Sequence, residues 1–511
     1  MNASPSVTTS RRCSRPTTRP GNAGRRTSIP VDRATGQAPA DAAAPGPAPN
    51  PPGIPGAPGD TRERLICICK RLAPATTPTA VRTSKLIARL AANWDVEILT
   101  ETSGAPSSDR VAVNFVRSRR PARLLRLAQT LRLSKLLELV IWPDDSIFWV
   151  LPAIVAGRRI VKRSAPSAIV VFMMPYSAGL IGLALARMTG LPLILNLDDS
   201  PTCTDMHPYF PSRLHYRLAR ALEDRYARSA DAIVYVSQTN LERVSARQPA
   251  GVAERFHLVR YGADESEFQT VTPSGDGFEI AYVGAMAGWW ALIDQASPPS
   301  RLKRIYGAWT RLGRYRLVEL DVLTASPAVI GQAIELAVAD HPQWRDRVRM
   351  SVYDNVYSRP LVTRALTAAG IDRVVTAREP VAHERVGEIL AGADLLFLTL
   401  PRRVDGSPGG RISAKTYEYL MTDRPILAAV PRGESWNFLA DRPGVWLAEP
   451  DDVEAMRAVV VELAAAKFAG APPAFARESA REEISYASRG GEFENAIRAG
   501  IARKRRRQPA R

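Results

Sequence analysis

The chain has 511 residues, of which 45% are hydrophobic and 23% charged, and its formal net charge is +18. Single hydrophobic cores stop growing beyond about 250–300 residues, so the length excludes a one-domain protein, while the composition is that of an ordinary globular chain. No stretch approaches the roughly 20 apolar residues that cross a bilayer, which excludes a transmembrane protein.

The positive charge is concentrated in the two ends of the chain and in one internal segment. Residues 1–60 hold seven Arg and three Asp, residues 498–511 hold seven basic groups and no acid, and residues 117–138 hold seven basic groups and one Glu. The rest of the chain is close to neutral, which argues against a broad nucleic-acid-binding face. We therefore predict no nucleic-acid partner.

The first 60 residues contain twelve Pro and seven Gly but few large aliphatic side chains. Such a composition cannot bury enough apolar surface to offset chain entropy, so we predict a disordered tail over 1–60. The four cysteines of the chain lack metal-site spacing, which is typical of reduced thiols in a cytosolic protein. We predict a cytoplasmic protein without a metal site.

Apolar runs then alternate with helical intervals in two successive series. Runs that are apolar throughout are typical of parallel strands covered on both faces. The predicted strands of the first series are 64–69, 96–99, 168–173, 193–197 and 232–236, with a helix at 82–92. The predicted strands of the second series are 279–284, 319–323, 373–375, 395–400 and 425–430.

These series predict an α/β protein with two tandem Rossmann-like domains, 61–265 and 275–475. A helix over 478–502 and a basic tail over 503–511 follow. Ligands of such sheets bind outside the carboxyl ends of the strands, so we expect the two domains to face each other across a cleft that holds the site.

A glycine-rich loop follows the predicted strand 395–400 and therefore lies at such a carboxyl end. Gly409 and Gly410 allow the backbone to approach a ligand closely, and Ser413 is placed to cap a helix that runs to about residue 421. A helix N-terminus next to a glycine turn is a site for an anion. The loop therefore predicts a phosphate-binding site.

Charged residues accompany this loop. Arg411 and Lys415 add positive charge, and Glu418 lies three residues beyond Lys415 on the same helix face. The basic groups are suited to a diphosphate, and the carboxylate is suited to the two hydroxyls of a ribose. An alternative interpretation is a structural glycine loop with a surface Lys–Glu pair.

The pattern Ser413-x-Lys415-x-x-Glu418, with Pro425 seven residues after the Glu, resembles the nucleotide-sugar motif of GT-B glycosyltransferases, specifically the family 4-like group. The resemblance extends from residue 64 to about residue 500. Further segments that are similar to the family, in the same order along the chain, are 196–199, 230–237, 261–268, 280–284 and 393–398.

The resemblance implies transfer of a sugar from a nucleoside diphosphate sugar to an acceptor hydroxyl, usually with retained configuration. It implies no metal and no cofactor besides the donor as co-substrate. Lys415 is the predicted catalytic residue of the donor side, where it would stabilise the leaving diphosphate. The predicted donor-binding residues are Gly284, Gly409, Gly410, Arg411, Ser413, Lys415 and Glu418.

The acceptor side is assigned to the first domain. Asp198 and Asp199 follow an apolar strand and are similar to the family's acceptor-side loop, and His207 comes shortly after them. We predict that all three are acceptor-side residues and that Asp199 has a catalytic role. An ordinary polar loop end is an equal alternative for the two aspartates.

Two positions depart from the family pattern. A Glu that often contacts the donor sugar stands eight residues before the ribose Glu, and here that position is Gly410. The family's basic pair after the glycine turn is also missing, because residues 285–289 contain no Lys or Arg. Both departures put the choice of donor sugar and the strength of diphosphate binding in question.

The basic segment 117–138 carries leucines at helical spacing, and such a helix can lie on an anionic membrane. Its alternative is a helix packed on the core with a solvated Arg face. With the basic C-terminal tail, it predicts peripheral contact with the inner face of the membrane. A glycan or lipid-linked acceptor for cell-surface synthesis agrees with that location.

Three other functions remain as alternatives. A sugar-nucleotide epimerase shares the fold but needs carboxylates or histidines around the sugar. A non-catalytic binding protein could retain the fold without the reaction. A nicotinamide-dependent oxidoreductase is disfavoured, because no G-x-G-x-x-G follows an early strand.

Overall fold

The computed structural model describes residues 62–507, apart from 76, 106, 132, 204, 206–208, 269–274 and 355–359. The predicted tail 1–60, the predicted acceptor residue His207 and residues 508–511 therefore lie outside the described residues.

The first domain is built on a seven-stranded parallel sheet in the order β3-β2-β1-β4-β5-β7-β8. Three of its strands, β1, β4 and β5, are almost completely buried, as expected for apolar runs with helices on both faces. The strands of this half of the chain are β1 (Arg64–Ile68), β2 (Asp95–Thr100), β3 (Val111–Phe115), β4 (Ala168–Phe172), β5 (Leu193–Leu197), β6 (Tyr209–Phe210), β7 (Ala232–Tyr235) and β8 (Phe256–Leu258).

Helices cover both faces of this sheet. Local sequence sets several of their ends: Pro78 stands in the first turn of α1, Ser212 caps α6 by accepting from the His215 amide, and Gly190 ends α5 in the left-handed region. The helices are α1 (Pro78–Leu90), α2 (Ala122–Thr130), α3 (Ser134–Val140), α4 (Ile147–Ser164), α5 (Ala178–Thr189), α6 (Arg213–Ser229), α7 (Gln238–Ser245) and α8 (Ala250–Ala253).

The second domain has a six-stranded parallel sheet in the order β13-β12-β9-β14-β16-β17. Its strands are β9 (Phe278–Val283), β12 (Val348–Tyr353), β13 (Val375–Arg378), β14 (Leu395–Thr399), β16 (Ile426–Ala429) and β17 (Val445–Ala448), numbered along the chain together with the short strands β10 (Tyr315–Arg316), β11 (Leu320–Asp321) and β15 (Arg402–Arg403). Its helices are α9 (Trp289–Ala296), α10 (Arg301–Arg311), α11 (Pro327–Asp340), α12 (Pro360–Ala368), α13 (Val386–Gly392), α14 (Ala414–Leu420), α15 (Glu434–Leu439) and α16 (Val453–Phe468).

The chain returns to the first domain at its C-terminal end. α17 (Glu478–Ile484) and α18 (Tyr486–Arg507) replace the predicted single helix 478–502, because Ser485 is extended and interrupts it. Phe493 of α18 packs against Phe172 of β4, with ring centroids 5.7 Å apart. The first part of the predicted basic tail is helical, and Arg503 donates to the Asp231 carbonyl at 2.6 Å.

Two further expectations differ from the structure. The predicted strand 319–323 is reduced to β11, which pairs with β15 outside the main sheet, whereas the unpredicted β12 lies next to the central β9. The sequence of β12 alternates Arg349 and Ser351 with apolar residues, so it lacks a continuous apolar run. The predicted helical segment 117–141 is two helices, because the Leu133 amide bonds to the Ala128 carbonyl and closes α2.

Loops at the carboxyl ends of the two sheets meet. Asp205, after β5, forms an ion pair with Arg403, after β14, at 2.6 Å. Ser237, after β7, donates to the Gly410 carbonyl at 2.9 Å. The strand order reverses between β1 and β4 in one sheet and between β9 and β14 in the other, where ligands of such sheets bind. Among the described helices, none has the length and apolar character needed to cross a membrane.

Candidate functional site

Lys415 and Gly284 lie together at the point where the strand order of the second sheet reverses. Gly284 directly follows β9 and has a φ of +101°, a conformation that L side chains rarely adopt. A Cβ at this position would stand 3.0 Å from Cε and 3.1 Å from Nζ of Lys415. The ammonium also lies 5.2 Å from the ring centre of Tyr282. The glycine therefore leaves room for the lysine at the end of β9.

Glu418 stands one turn beyond Lys415 on α14 and is half-buried. Burial raises the pKa of its carboxyl above the usual value, the charges of Lys415 and His383 lower it, and that of Glu267 raises it. Within the described residues, neither Lys415 nor Glu418 has a hydrogen bond or an ion pair to another side chain. A cation and a carboxylate on one helix therefore have polar capacity left for a ligand.

The glycine loop is fixed by backbone contacts with the loop after β16. The Gly409 amide donates to the Arg432 carbonyl at 2.9 Å, and its carbonyl accepts from the Glu434 amide at 3.0 Å. Gly433 has a φ of +131°, and a Cβ there would come within 2.2 Å of the Gly409 oxygen. A glycine at 433 is thus required for the two loops to approach.

A crevice between the domains opens beside this loop. Arg411 lines it together with Gly409, Ser435 of α15 and Asp205 of the first domain. The Ser435 hydroxyl is buried and has no hydrogen-bond partner in the described structure. Arg411 likewise has no ion pair among the described residues. The crevice has room for about one water molecule, and its wall presents a guanidinium, a hydroxyl and the Asp205 carboxylate that is paired with Arg403.

Ser413 is at the N-cap position of α14 but does not cap it as the sequence predicts. Its backbone is extended, with φ −76° and ψ 152°, yet its hydroxyl accepts no helix amide. The hydroxyl lies instead 3.4 Å from that of Thr416. The buried Ser413 and Thr416 side chains satisfy each other, which leaves the first amides of this short helix without a side-chain cap.

A side chain at position 410, such as the glutamate that the family often carries there, would crowd Thr239 of the first domain. A Cβ at 410 would stand 3.1 Å from Cγ2 of Thr239 in the first domain. The carboxylate of Glu434 lies nearby, because Ser237 donates to both Glu434, at 2.5 Å, and the Gly410 carbonyl. Glu434 also accepts from the amides of Gln238 and Thr239, at 2.7 and 3.1 Å. The second domain therefore supplies a carboxylate cap to helix α7 of the first.

On the first domain, Asp198 is held in a buried network. It accepts from Arg82 of α1 at 2.9 Å and from the Tyr261 hydroxyl at 2.9 Å. Arg82 is completely buried and also donates to Asn196 and to the Val259 carbonyl. Burial and the Asp198 charge raise the pKa of Tyr261 well above its usual value. The predicted acceptor-side role of Asp198 stays a prediction, and the network gives this carboxylate three protein partners, since the Asn196 amide also donates to it at 3.4 Å.

Asp199 is the more exposed of the two aspartates. Its carbonyl accepts from the Tyr176 hydroxyl at 3.3 Å, which places it beside the loop that follows β4. The structure thus brings Lys415, Glu418 and the glycine loop together on the second domain and leaves Asp199 on the first. The catalytic assignment of Asp199 stays a prediction.

Lys70, at the point where the first sheet reverses, was not predicted. It follows β1, donates to the Ser146 hydroxyl and lies 3.7 Å from both Glu101 and Asp145. Burial lowers the pKa of the Lys70 ammonium, and the Asp145 charge opposes that shift. A Lys directly after a predicted strand was the available signal for it.

These two sheets and their loops can now be compared with known proteins. Residues 79–262 match the model of the family described as glycosyl transferase 4-like domain. The chain has the GT-B fold, as the sequence predicts. No curated protein matches it.

Solved structures resemble this chain along most of its length. Sucrose-phosphate synthase from Thermosynechococcus elongatus has a TM-score of 0.55 and 13% identity, and the match covers 86% of this chain and 100% of that one. The α,α-trehalose 6-phosphate synthase from Burkholderia multivorans has a TM-score of 0.53 and 13% identity, over 88% and 99% of the two chains. At these identities the likeness shows the fold.

Proposed function

We propose that this protein is a glycosyltransferase that moves a sugar from a nucleoside diphosphate sugar to an acceptor hydroxyl, with Lys415 and Glu418 as the main donor contacts. The observation that carries the proposal is the lack of partners for these two groups within the described residues, next to the opening that Gly284 provides. Glu418 holds the ribose hydroxyls as hydrogen-bond acceptor, and Lys415 with Arg411 binds the diphosphate.

The proposed reaction breaks the bond between the sugar and the diphosphate. Negative charge then grows on the leaving diphosphate, and fixed cations beside it stabilise the transition state more than the ground state. Lys415 and Arg411 are the described cations at this loop. Asp199 on the opposite domain is proposed to act on the acceptor side, where it faces the sugar when the cleft is occupied.

Retention of the anomeric configuration and independence of metal ions are further parts of the proposal. Both follow from the resemblance of the 413–418 motif to the family pattern, in which cationic side chains fulfil the role of a metal at the diphosphate. We expect transfer to continue after dialysis against a chelator. Product analysis by nuclear magnetic resonance gives the anomeric configuration and also separates transfer from epimerisation.

We also propose that the protein works on an anionic membrane, through a basic apolar surface formed by α2, α3 and α10. Exposed large apolar side chains on these helices include Val140 at 81%, Leu302 at 80% and Ile305 at 67%. α3 and α10 are in contact, since Lys135 donates to the Trp309 carbonyl at 3.0 Å and lies 4.4 Å from its ring centre. An apolar face among basic groups fits anionic lipid.

The test of donor binding is titration of the purified protein with UDP, GDP, ADP and CDP while its melting temperature is recorded. We expect one base to raise the melting temperature and the Glu418→Ala variant to lose that response. Hydrolysis of a panel of sugars on that base then identifies the donor. Unchanged melting with every nucleotide would refute the proposal.

A further inference from the structure

The first domain contains a cavity of about 210 Å³ that no donor or acceptor assignment uses. It lies below the carboxyl ends of β4 and β5, between α3 and α6. Apolar and aromatic side chains form most of its wall, among them Trp142, Met173, Tyr176, Leu197, Tyr209 and Phe210. An apolar cavity of about 150 Å³ already takes up a small apolar guest such as benzene.

The ionisable groups of this wall already have partners in the protein. Asp144 accepts from the amide and hydroxyl of Ser177 at 2.9 and 2.7 Å, and Glu138 is paired with Arg314 at 2.9 Å. The two ring nitrogens of His215 lie 2.8 Å from the Ser212 hydroxyl and 3.1 Å from the Leu139 carbonyl.

Glu223, the fourth ionisable group, is the most deeply buried of them. It accepts from the Ser200 hydroxyl at 2.7 Å and from Arg247 at 2.6 Å. The hydroxyl of Tyr226 is also engaged, since it donates to the Tyr176 carbonyl at 3.0 Å. A polar ligand would thus find few free partners in the described wall, whereas a hydrocarbon chain needs none and gains from leaving water.

Hydrogen bonds link the cavity wall to two regions that the proposed reaction uses. Its wall residue Tyr176 contacts the Asp199 backbone, and its wall residue His215 contacts Leu139 of α3. α3 belongs to the basic apolar surface with its exposed Leu136 and Val140, and its residue Glu138 and the adjoining Ile141 line the cavity. A chain that enters from this surface would therefore end close to the predicted acceptor loop.

We infer that this cavity binds the hydrocarbon chain of the acceptor, so that the acceptor is an amphiphile whose polar head receives the sugar near Asp199. The inference rests on the proposed glycosyl transfer and specifies its acceptor as lipid-linked. Acyl and prenyl chains share the chemistry that the wall recognises.

The test uses cis-parinaric acid, an 18-carbon chain that becomes fluorescent in apolar surroundings. We expect saturable binding of one molecule per protein chain. The variant Ala219→Phe, which places a ring in the cavity wall of α6, should weaken it at least tenfold. Ala221→Phe is the matched control, because Ala221 is exposed on the same helix and should leave binding unchanged. Absence of saturable binding, or equal weakening by both variants, would overturn the inference.

A second measurement does not depend on the folding of a variant at 219. Dibrominated stearic acid quenches tryptophan on contact, and we expect the quenched fraction of the wild type to fall in Trp142→Phe. Equal quenching in both proteins contradicts occupancy of the cavity. Competition by stearate or by farnesyl phosphate distinguishes acyl from prenyl chains, and failure of both to displace parinarate counts against a hydrocarbon site.

The nucleotide titration is run on the same preparations. If the protein binds a nucleotide but no hydrocarbon chain, the cavity assignment is rejected and the proposal of glycosyl transfer is unaffected. Chain binding without any nucleotide response rejects the transfer proposal instead.

Discussion

Charged residues at the carboxyl ends of the two sheets differ in whether they have partners within the protein. On the first domain Asp198 has the buried Arg82 and the partly buried Tyr261 as partners, both within hydrogen-bond distance. On the second domain Lys415 and Glu418 have no such partners in the described structure. A charge with protein partners stabilises the fold, whereas a charge left without them retains its capacity for a ligand. The comparison therefore separates a structural network from a candidate binding site.

The largest effect is expected from breaking the network of the first domain. Arg82→Met leaves the Asp198 carboxylate buried without its cation, which should lower the free energy of unfolding by about 3–5 kcal/mol. The measurement is denaturant unfolding. The double variant Arg82→Met/Asp198→Asn should recover part of the loss, and a single variant as stable as the wild type would contradict the structural role.

Lys415→Ala should lower turnover strongly and leave the stability of the fold almost unchanged. Removal of one charge that stabilises the leaving diphosphate lowers turnover by about 10²–10³-fold. The melting temperature should hardly change, since the lysine has no ion pair to lose. Lys467→Ala is the control, because Lys467 pairs with Asp394 at 2.6 Å and should affect melting more than turnover. Normal turnover in Lys415→Ala would show that Lys415 is not part of the donor site.

Glu418→Gln should weaken nucleotide binding by about 10- to 100-fold, the range for loss of hydrogen bonds to a charged group. Burial raises the pKa of Glu418, so the folded state binds this proton more tightly than the unfolded state. As the pH drops through that raised pKa, the free energy of unfolding of the wild type should therefore increase and its affinity for the nucleotide should fall.

The Gln variant should lack both changes and melt no lower than the wild type at neutral pH. Calorimetry at several pH values provides both readings. A nucleotide affinity with the same pH dependence in wild type and variant would show that another group is responsible.

The smallest effect concerns the contact between the domains. Glu434→Gln removes the charge that caps α7 through the amides of Gln238 and Thr239, and caps of this kind contribute about 0.5–2 kcal/mol. We expect a loss of about 1 kcal/mol in unfolding with little change in nucleotide affinity. Glu449→Gln, at an exposed pair with Arg432, serves as the reference for a simple charge change.

Several features of the site could be predicted because they depend on short-range sequence. The order Lys415, Glu418 and Pro425 identifies the helix after a glycine loop, and α14 is present at Ala414–Leu420. The cap by Ser413 was wrong in detail, since its hydroxyl lies beside Thr416 instead. Whether the Ser413 hydroxyl bonds to a helix amide or to Thr416 depends on packing that the local sequence does not contain.

The partner of Asp198 illustrates what the sequence left open. Arg82 is 116 residues away, and nothing in its local surroundings distinguishes it from a surface arginine of an amphipathic helix. Glu434 is another example, because its role depends on the loop after β7 in the other domain. The alternation of Arg349 and Ser351 likewise hid β12, a strand that tertiary neighbours cover on both sides.

The sequence by itself determined the two α/β domains and the motif of the donor loop, because apolar periodicity and glycine positions act over a few residues. Only the tertiary structure decided which charges are neutralised within the protein, and only it revealed the apolar cavity beneath β4 and β5. Those properties arise where strands distant in sequence end side by side, so their energies belong to contacts that no local pattern encodes.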